Sequence, residues 1–321
     1  MRGVQKIRVI GNHIEYNLTL FRNITIIRGN SGTGKTTLCK LITLSDKSGG
    51  SKFHKLYYDK PLLVAPSAWN AALRMLKSSD NCVILFDEDC EYVKTKEFAQ
   101  TISNTTNYYV IINRETLRNI PYSVNEIYEF NTVMVGNTYT ISLSPMFKNS
   151  LMYQTFNCVI TEDSNSGRDM LKAIFDKVLD TAGGNSSVYS ELEKLEKDAI
   201  PLVVVDGAAF GPYISDIYKD FIKTHSCSIW MPESFEYLLL LSKIVWRKDV
   251  DTILGNPSEQ ISSELFLTWE RFFTWLVTDI MEPHPGRYYS KHKLPDWYFE
   301  LQNIEKLISV LPNELKENVK K

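Results

Sequence analysis

The sequence predicts an α/β protein built around parallel strands, and three observations predict it. Ile24-Thr25-Ile26-Ile27 is an apolar, β-branched run that feeds a glycine-rich loop and then a helical pattern starting at Lys35. Residues 82–86 and 108–112 are short uninterrupted apolar runs, which is how strands buried on both faces read, and the first ends in Asp87-Glu88-Asp89. The same strand-then-acid arrangement returns downstream, at Glu162 and at Asp206. For 321 residues, more than one domain is the natural expectation.

The loop carries the most chemistry. From Arg28 it reads Arg-Gly-Asn-Ser-Gly-Thr-Gly-Lys-Thr-Thr-Leu and fits G-x-x-x-x-G-K-[ST]. A triphosphate is ringed by acceptor oxygens, so a bare backbone with inward N–H groups suits it, and Gly29, Gly32 and Gly34 let that backbone curl. Gly29, Asn30, Ser31, Gly32, Thr33, Gly34, Lys35, Thr36 and Thr37 are the expected nucleotide contacts. Lys35 is expected to reach the β- and γ-phosphates, Thr36 to ligate Mg²⁺, and the helix N-terminus to add positive potential. Asp87 then fits the second Mg²⁺-holding position, and Glu88 is the candidate general base for an attacking water. Asn113-Arg114 end the next buried run. Either residue is placed to sense a γ-phosphate, or to cap the turn that follows.

Taken in order, residues 4–10 and 14–21 alternate as a hairpin about Gly11-Asn12. Tyr16 in it reads as a strand aromatic or a base-stacking ring. Residues 62–65 form a strand, 67–76 a helix, and 125–143 edge strands turning at Gly136-Asn137. A hairpin running into this strand-loop-helix unit resembles the start of ABC-type and SMC-like P-loop ATPases. Only 51 residues lie between Lys35 and Asp87, too few for a transporter's helical subdomain, and they contain no L-S-G-G-Q-like stretch. Hydrolysis that is slow, or that needs a partner, is the expectation.

After a joint at 144–150, residues 156–161 read as a strand ending in Glu162-Asp163. A helix follows from Ser166 through Leu179, with Gly183-Gly184 as its stop. Ser187-Val188 reads as a short strand, 190–197 as a helix, 201–205 as a strand ending in Asp206-Gly207, and a helix starts at Pro212 before a strand at 227–231. This order, with Glu162 and Asp206 44 positions apart, resembles a Toprim domain, and an ABC-type ATPase followed by Toprim is the order of OLD-family nucleases. The resemblance implies a second Mg²⁺ site on Glu162 and Asp206 serving phosphodiester cleavage, in a prokaryotic defence or mobile-element effector. Toprim domains carry Asp-x-Asp, whereas Ala208 stands at the second position here; Asp163, Asp216 or Glu233 is left to supply a ligand.

Helices are expected at 235–246 and 262–280, the latter with Leu265, Trp269, Phe272, Phe273 and Leu276 at core spacing, and at 301–310. Residues 283–293 are basic, aromatic and rich in Pro and Gly: an exposed loop or a phosphate contact. The resulting boundaries are 1–146 for a P-loop NTPase domain, 147–234 for a Toprim-like domain and 235–321 for a helical extension.

Composition bounds the rest. Residues 1–150 hold 18 Lys and Arg against 12 Asp and Glu, and 151–321 hold 18 against 26, so the second half does not attract nucleic acid by charge. No apolar run approaches the roughly 20 residues of a membrane span, and no secretory leader is seen. The five cysteines lack paired spacing and read as reduced thiols of a cytoplasmic protein. The sequence thus points to an ATP- or GTP-dependent, Mg²⁺-using NTPase, expected to form homo-oligomers. Its second domain is either a nuclease acting on nucleic acid or a non-nucleolytic switch that docks a protein partner. A phosphotransferase is a third class, for which no acceptor pocket is legible.

Overall fold

The apolar runs become strands of two separate sheets. The computed structural model describes residues 1–29, 32–47, 54–148, 150–151, 155–163, 165–179 and 183–320. The chain divides into two units: Met1–Phe147 with Asn256–Leu267, and Lys148–Gly255 with Thr268–Lys321. It is mixed α/β, and its larger sheet is mostly parallel.

In the first unit, β1 (Gln5–Gly11) and β2 (Ile14–Leu20) form the expected hairpin, turned by His13 at φ +61°. Next come β3 (Ile24–Arg28), β4 (Lys55–Tyr58), β5 (Leu62–Val64), β6 (Val83–Phe86), β7 (Tyr108–Ile112), β8 (Ile127–Val135) and β9 (Thr138–Pro145). They join one nine-stranded sheet in the order β4-β1-β2-β9-β8-β3-β7-β6-β5. Strands β3, β6 and β7 are buried along their whole length, as their unbroken apolar character requires. Helix Lys35–Lys47 packs Leu38, Leu41 and Ile42 into the core formed with Tyr16, Leu18, Leu85 and Val110. Segment Asn256–Leu267 belongs here too: Asn23 Nδ2 donates to the Leu267 carbonyl (3.1 Å) and Ser263 Oγ to the Thr105 carbonyl (3.0 Å).

In the second unit, β10 (Ser150–Leu151), β11 (Cys158–Thr161), β12 (Pro201–Val204) and β13 (Ser228–Trp230) run in the order β10-β13-β12-β11, the last three parallel. Glu162 and Asp206 therefore emerge at the same edge, the carboxyl ends of neighbouring strands.

Several local expectations are corrected. The helix after β11 is Ser166–Ile174; Phe175 is extended and packs on Phe156, and Lys177–Leu179 pairs with Val159, so Val178 and Leu179 serve a sheet edge. Val188 opens a helix (Val188–Glu193) instead of forming a strand. Helix Phe235–Leu241 stops early because Lys243 is left-handed at φ +58°, leaving Trp246 51% exposed. The aromatic helix starts at Trp269, where the Thr268 hydroxyl caps it, and Leu265 is 64% exposed, outside any core. Strand β4 carries no alternation that would have announced it.

Candidate functional site

Two groups of polar side chains stand at strand carboxyl ends, one in each unit. In the first, β3 runs into the glycine-rich loop. Gly29, Gly32 and Gly34 have φ of +120°, +80° and +90°, backbone that side chains resist, and a Cβ on Gly34 would lie 2.8 Å from the Tyr16 hydroxyl. That hydroxyl donates to the Gly34 carbonyl (2.7 Å) while the ring is fully buried, so Tyr16 braces the loop and offers no face to a base. Burial pushes its phenol up to about 12, which keeps it a donor at any physiological pH. Asn30 and Ser31 lie outside the described residues. Thr33, Thr36 and Thr37 flank the start of helix Lys35–Lys47.

Lys35 is 4% exposed, and its ammonium donates to the Gly29 carbonyl (3.0 Å) and to Thr33 Oγ1 (3.1 Å) and lies 3.4 Å from Glu88 Oε1. Thr36 Oγ1 is 3.5 Å from Asp87 Oδ1, close enough for both to serve one hydrated octahedral cation. Because β7 lies between β3 and β6, its tip stands between the glycine loop and Asp87-Glu88. Arg114 clasps Glu88 bidentately, Nε to Oε1 at 3.1 Å and Nη2 to Oε2 at 2.8 Å. The Asn113 side chain instead accepts the Glu115 amide (2.7 Å) and caps the turn. The Arg114 hydrogen bonds, ahead of the charge of Lys35, hold the Glu88 carboxyl below its ordinary value. A half-buried carboxylate with two cations on it stays ionised, as a proton acceptor must. The donor set fits a Mg²⁺-bound polyphosphate: curled backbone, a buried ammonium, and a hydroxyl beside a carboxylate.

The second group is acidic. Glu162 receives the Asp206 amide, and Asp206 Oδ1 accepts the Phe235 amide (3.1 Å). Burial first, then negative neighbours, pushes both carboxyls well above the ordinary range. Asp163 is committed elsewhere: its two oxygens take the amides of Asn165 (2.7 Å) and Gly167 (2.6 Å) at the start of helix Ser166–Ile174. Gly207 is required because a Cβ there would sit 2.8 Å from the Met231 carbonyl. Glu233 accepts the Ala208 amide through its backbone carbonyl, and Asp216 lies in the neighbourhood of Tyr189. The acids that do approach are Glu236 and Glu270, which sequence reasoning missed, and among the described residues no three His, Cys, Asp or Glu side chains converge as a metal cage. Lys291 faces them instead, its Nζ 2.8 Å from Glu270 Oε1 and 3.6 Å from Glu236 Oε1.

Comparison of the chain with protein-family models, curated proteins and solved structures finds no match. The five cysteines are buried and unpaired, and among the described residues no helix is long and apolar enough to cross a membrane.

Proposed function

We propose that the first unit binds a nucleoside triphosphate with Mg²⁺ and hydrolyses it slowly. The observation that carries this reading is the meeting of three elements at one point: buried Lys35 after the curled glycine backbone, Thr36 beside Asp87, and Glu88 between Lys35 and Arg114. In this reading the residues of the 29–37 loop hold the phosphates, Thr36 and Asp87 hold the metal, and Glu88 accepts the proton of the attacking water. Arg114 takes the sensing role, and Asn113 keeps the turn that aims it. While Arg114 and Lys35 hold Glu88 there is no free base, and a γ-phosphate that draws Lys35 away loosens half of that grip. Slow turnover follows from the grip.

For the second unit we favour the non-nucleolytic switch, in which nucleotide state governs an α/β unit that engages a protein partner. Lys291 among the acids, and the lack of a three-acid cage among the described residues, weigh against metal-dependent cleavage. The nuclease reading keeps one observation in its favour, the placement of Glu162 and Asp206 at the tips of paired parallel strands. Release of phosphate from ATP and GTP tests the first proposal. Wild type is expected to turn over slowly, and Glu88→Gln to retain nucleotide while hydrolysis falls about 100-fold or more. Unchanged hydrolysis in that variant removes Glu88 from its role. Metal-dependent cleavage of DNA or RNA that disappears in Glu162→Ala and Asp206→Ala would restore the nuclease.

A further inference from the structure

One strand of the larger sheet is paired on both sides for only part of its length. β8 pairs with β3 over Ile127–Glu129 and with β9 over Tyr128–Val135. β3 turns into the glycine loop after Arg28, so from Phe130 onward no strand among the described residues covers the other edge of β8. The Met146 amide donates to the Ile127 carbonyl, which sets the odd-numbered residues of β8 toward β9. The N–H and C=O groups of Phe130, Thr132 and Met134 therefore point to the open edge. The side chains beside it are uncovered too: Val133 is 52% exposed, Met134 60%, Val135 62% and Tyr139, opposite Met134 on β9, 48%. Val133 and Val135 lie on one face of this ribbon, Met134 and Tyr139 on the other.

An open apolar edge is a template for another strand, and proteins blunt such edges with charge, proline or brevity. The sheet's two outer strands follow that rule: β5 has three residues, and β4 has four and begins at Lys55. β8 does not. From Phe130 to Phe147 the chain carries no charged side chain, and its one proline there, Pro145, stands at the far end of β9. Unpaired backbone calls for a strand as the occupant, and neutrality selects which strand. A nucleic acid or a charged segment finds no counter-charge here, whereas an identical strand meets no repulsion. We propose that the open edge of β8 pairs antiparallel with the same edge of a second copy of this chain, about a two-fold axis at Met134. The two Met134 residues then exchange N–H···O=C bonds, and Val133 of either copy faces Val135 of the other. One face of the joined ribbon carries four valines, and the other the row Tyr139, Met134, Met134, Tyr139. In this register each Gly136-Asn137 turn ends opposite Thr132 and Asn131 of the other copy, short of Glu129, where β3 takes up the pairing. A contact of this size belongs to a weak, reversible dimer. The inference rests on the ribbon alone and is untouched if the glycine loop binds no nucleotide.

Sedimentation equilibrium of the full chain without nucleotide, from about 1 to about 100 μM, tests this. Wild type is expected to pass from monomer to dimer within that range. Val135→Lys places two like charges in the seam, and Met134→Pro removes the outward N–H without breaking a bond to β9. Each should raise the dissociation constant about tenfold or more. Met134→Cys should join two copies through a disulfide when treated with oxidised glutathione, while Asn12→Cys, at the tip of the neighbouring hairpin, should not; the five native cysteines are buried. A wild type that stays monomeric overturns the proposal and leaves the edge to a strand of another protein. A dimer that survives both Val135→Lys and Met134→Pro overturns it as well, as does one whose Met134→Cys copies fail to cross-link. Should either seam variant not fold, Met134→Cys leaves the strand intact and decides alone.

Discussion

At the scale of single residues, charge placement decides which carboxylates are ready for chemistry. Glu88 is held low by Arg114, and Glu162 is pushed high by burial, although both end a buried strand. Removing the guanidinium in Arg114→Ala returns the Glu88 carboxyl toward its ordinary value. The acid limb of the kcat/KM profile for hydrolysis is therefore expected to move to higher pH, and kcat near pH 8 to rise a few-fold as the base is freed. A limb that stays in place would mean that Glu88 is not the titrating base. Glu162 has the opposite sign. Its folded value lies above the ordinary 4.5, so the stability it contributes is complete below that pH and is lost as pH rises toward the folded value. Glu162→Gln is thus expected to stabilise the protein at pH 7–8 by about 1–3 kcal/mol, a few degrees in Tm, with the gain vanishing toward pH 4. Thermal melts across that range check it; destabilisation at pH 8 would contradict the picture of an uncompensated charge.

At the scale of elements, the β1–β2 hairpin has a task beyond adding an edge. It delivers the Tyr16 hydroxyl to the Gly34 carbonyl and so locks the loop from behind. Tyr16→Phe should cost about 1 kcal/mol of stability and weaken nucleotide binding several-fold, whereas Gly34→Ala, with φ +90° and the hydroxyl in the way, should abolish binding. Titration of both variants with nucleotide decides whether the brace matters. Legibility in the sequence followed the range of the interactions. The strand, loop and helix around Lys35 were readable because glycine conformation, an apolar run and helical spacing all act within fifteen residues. The overrun of the helix past Ile174 was not avoidable from spacing, since Val178 and Leu179 fit a helix face and a sheet edge equally well. The Lys291–Glu270–Glu236 group was illegible for another reason: its members lie on separate elements, and no local rule brings a lysine at 291 onto an acid at 236. The basic, aromatic character of 283–293 was visible, but its target was not.

At the scale of the whole chain, segment Asn256–Leu267 leaves the second unit, packs into the first and then returns. It meets Asn23 just before β3 and Thr105 just before β7, the two strands whose far ends carry the glycine loop and Arg114. In the proposed reading this segment is the covalent connection through which occupancy at Lys35 would reach the downstream chain. All of this depends on the glycine-lined backbone holding a metal-bound polyphosphate through Lys35. Equilibrium binding of a fluorescent ATP or GTP analogue, with and without Mg²⁺, to wild type and Lys35→Ala tests that most directly. The account predicts Mg²⁺-dependent binding to wild type that weakens about 100-fold or more in the variant. Failure of wild type to bind either nucleotide, or binding that is unchanged in Lys35→Ala, would contradict it.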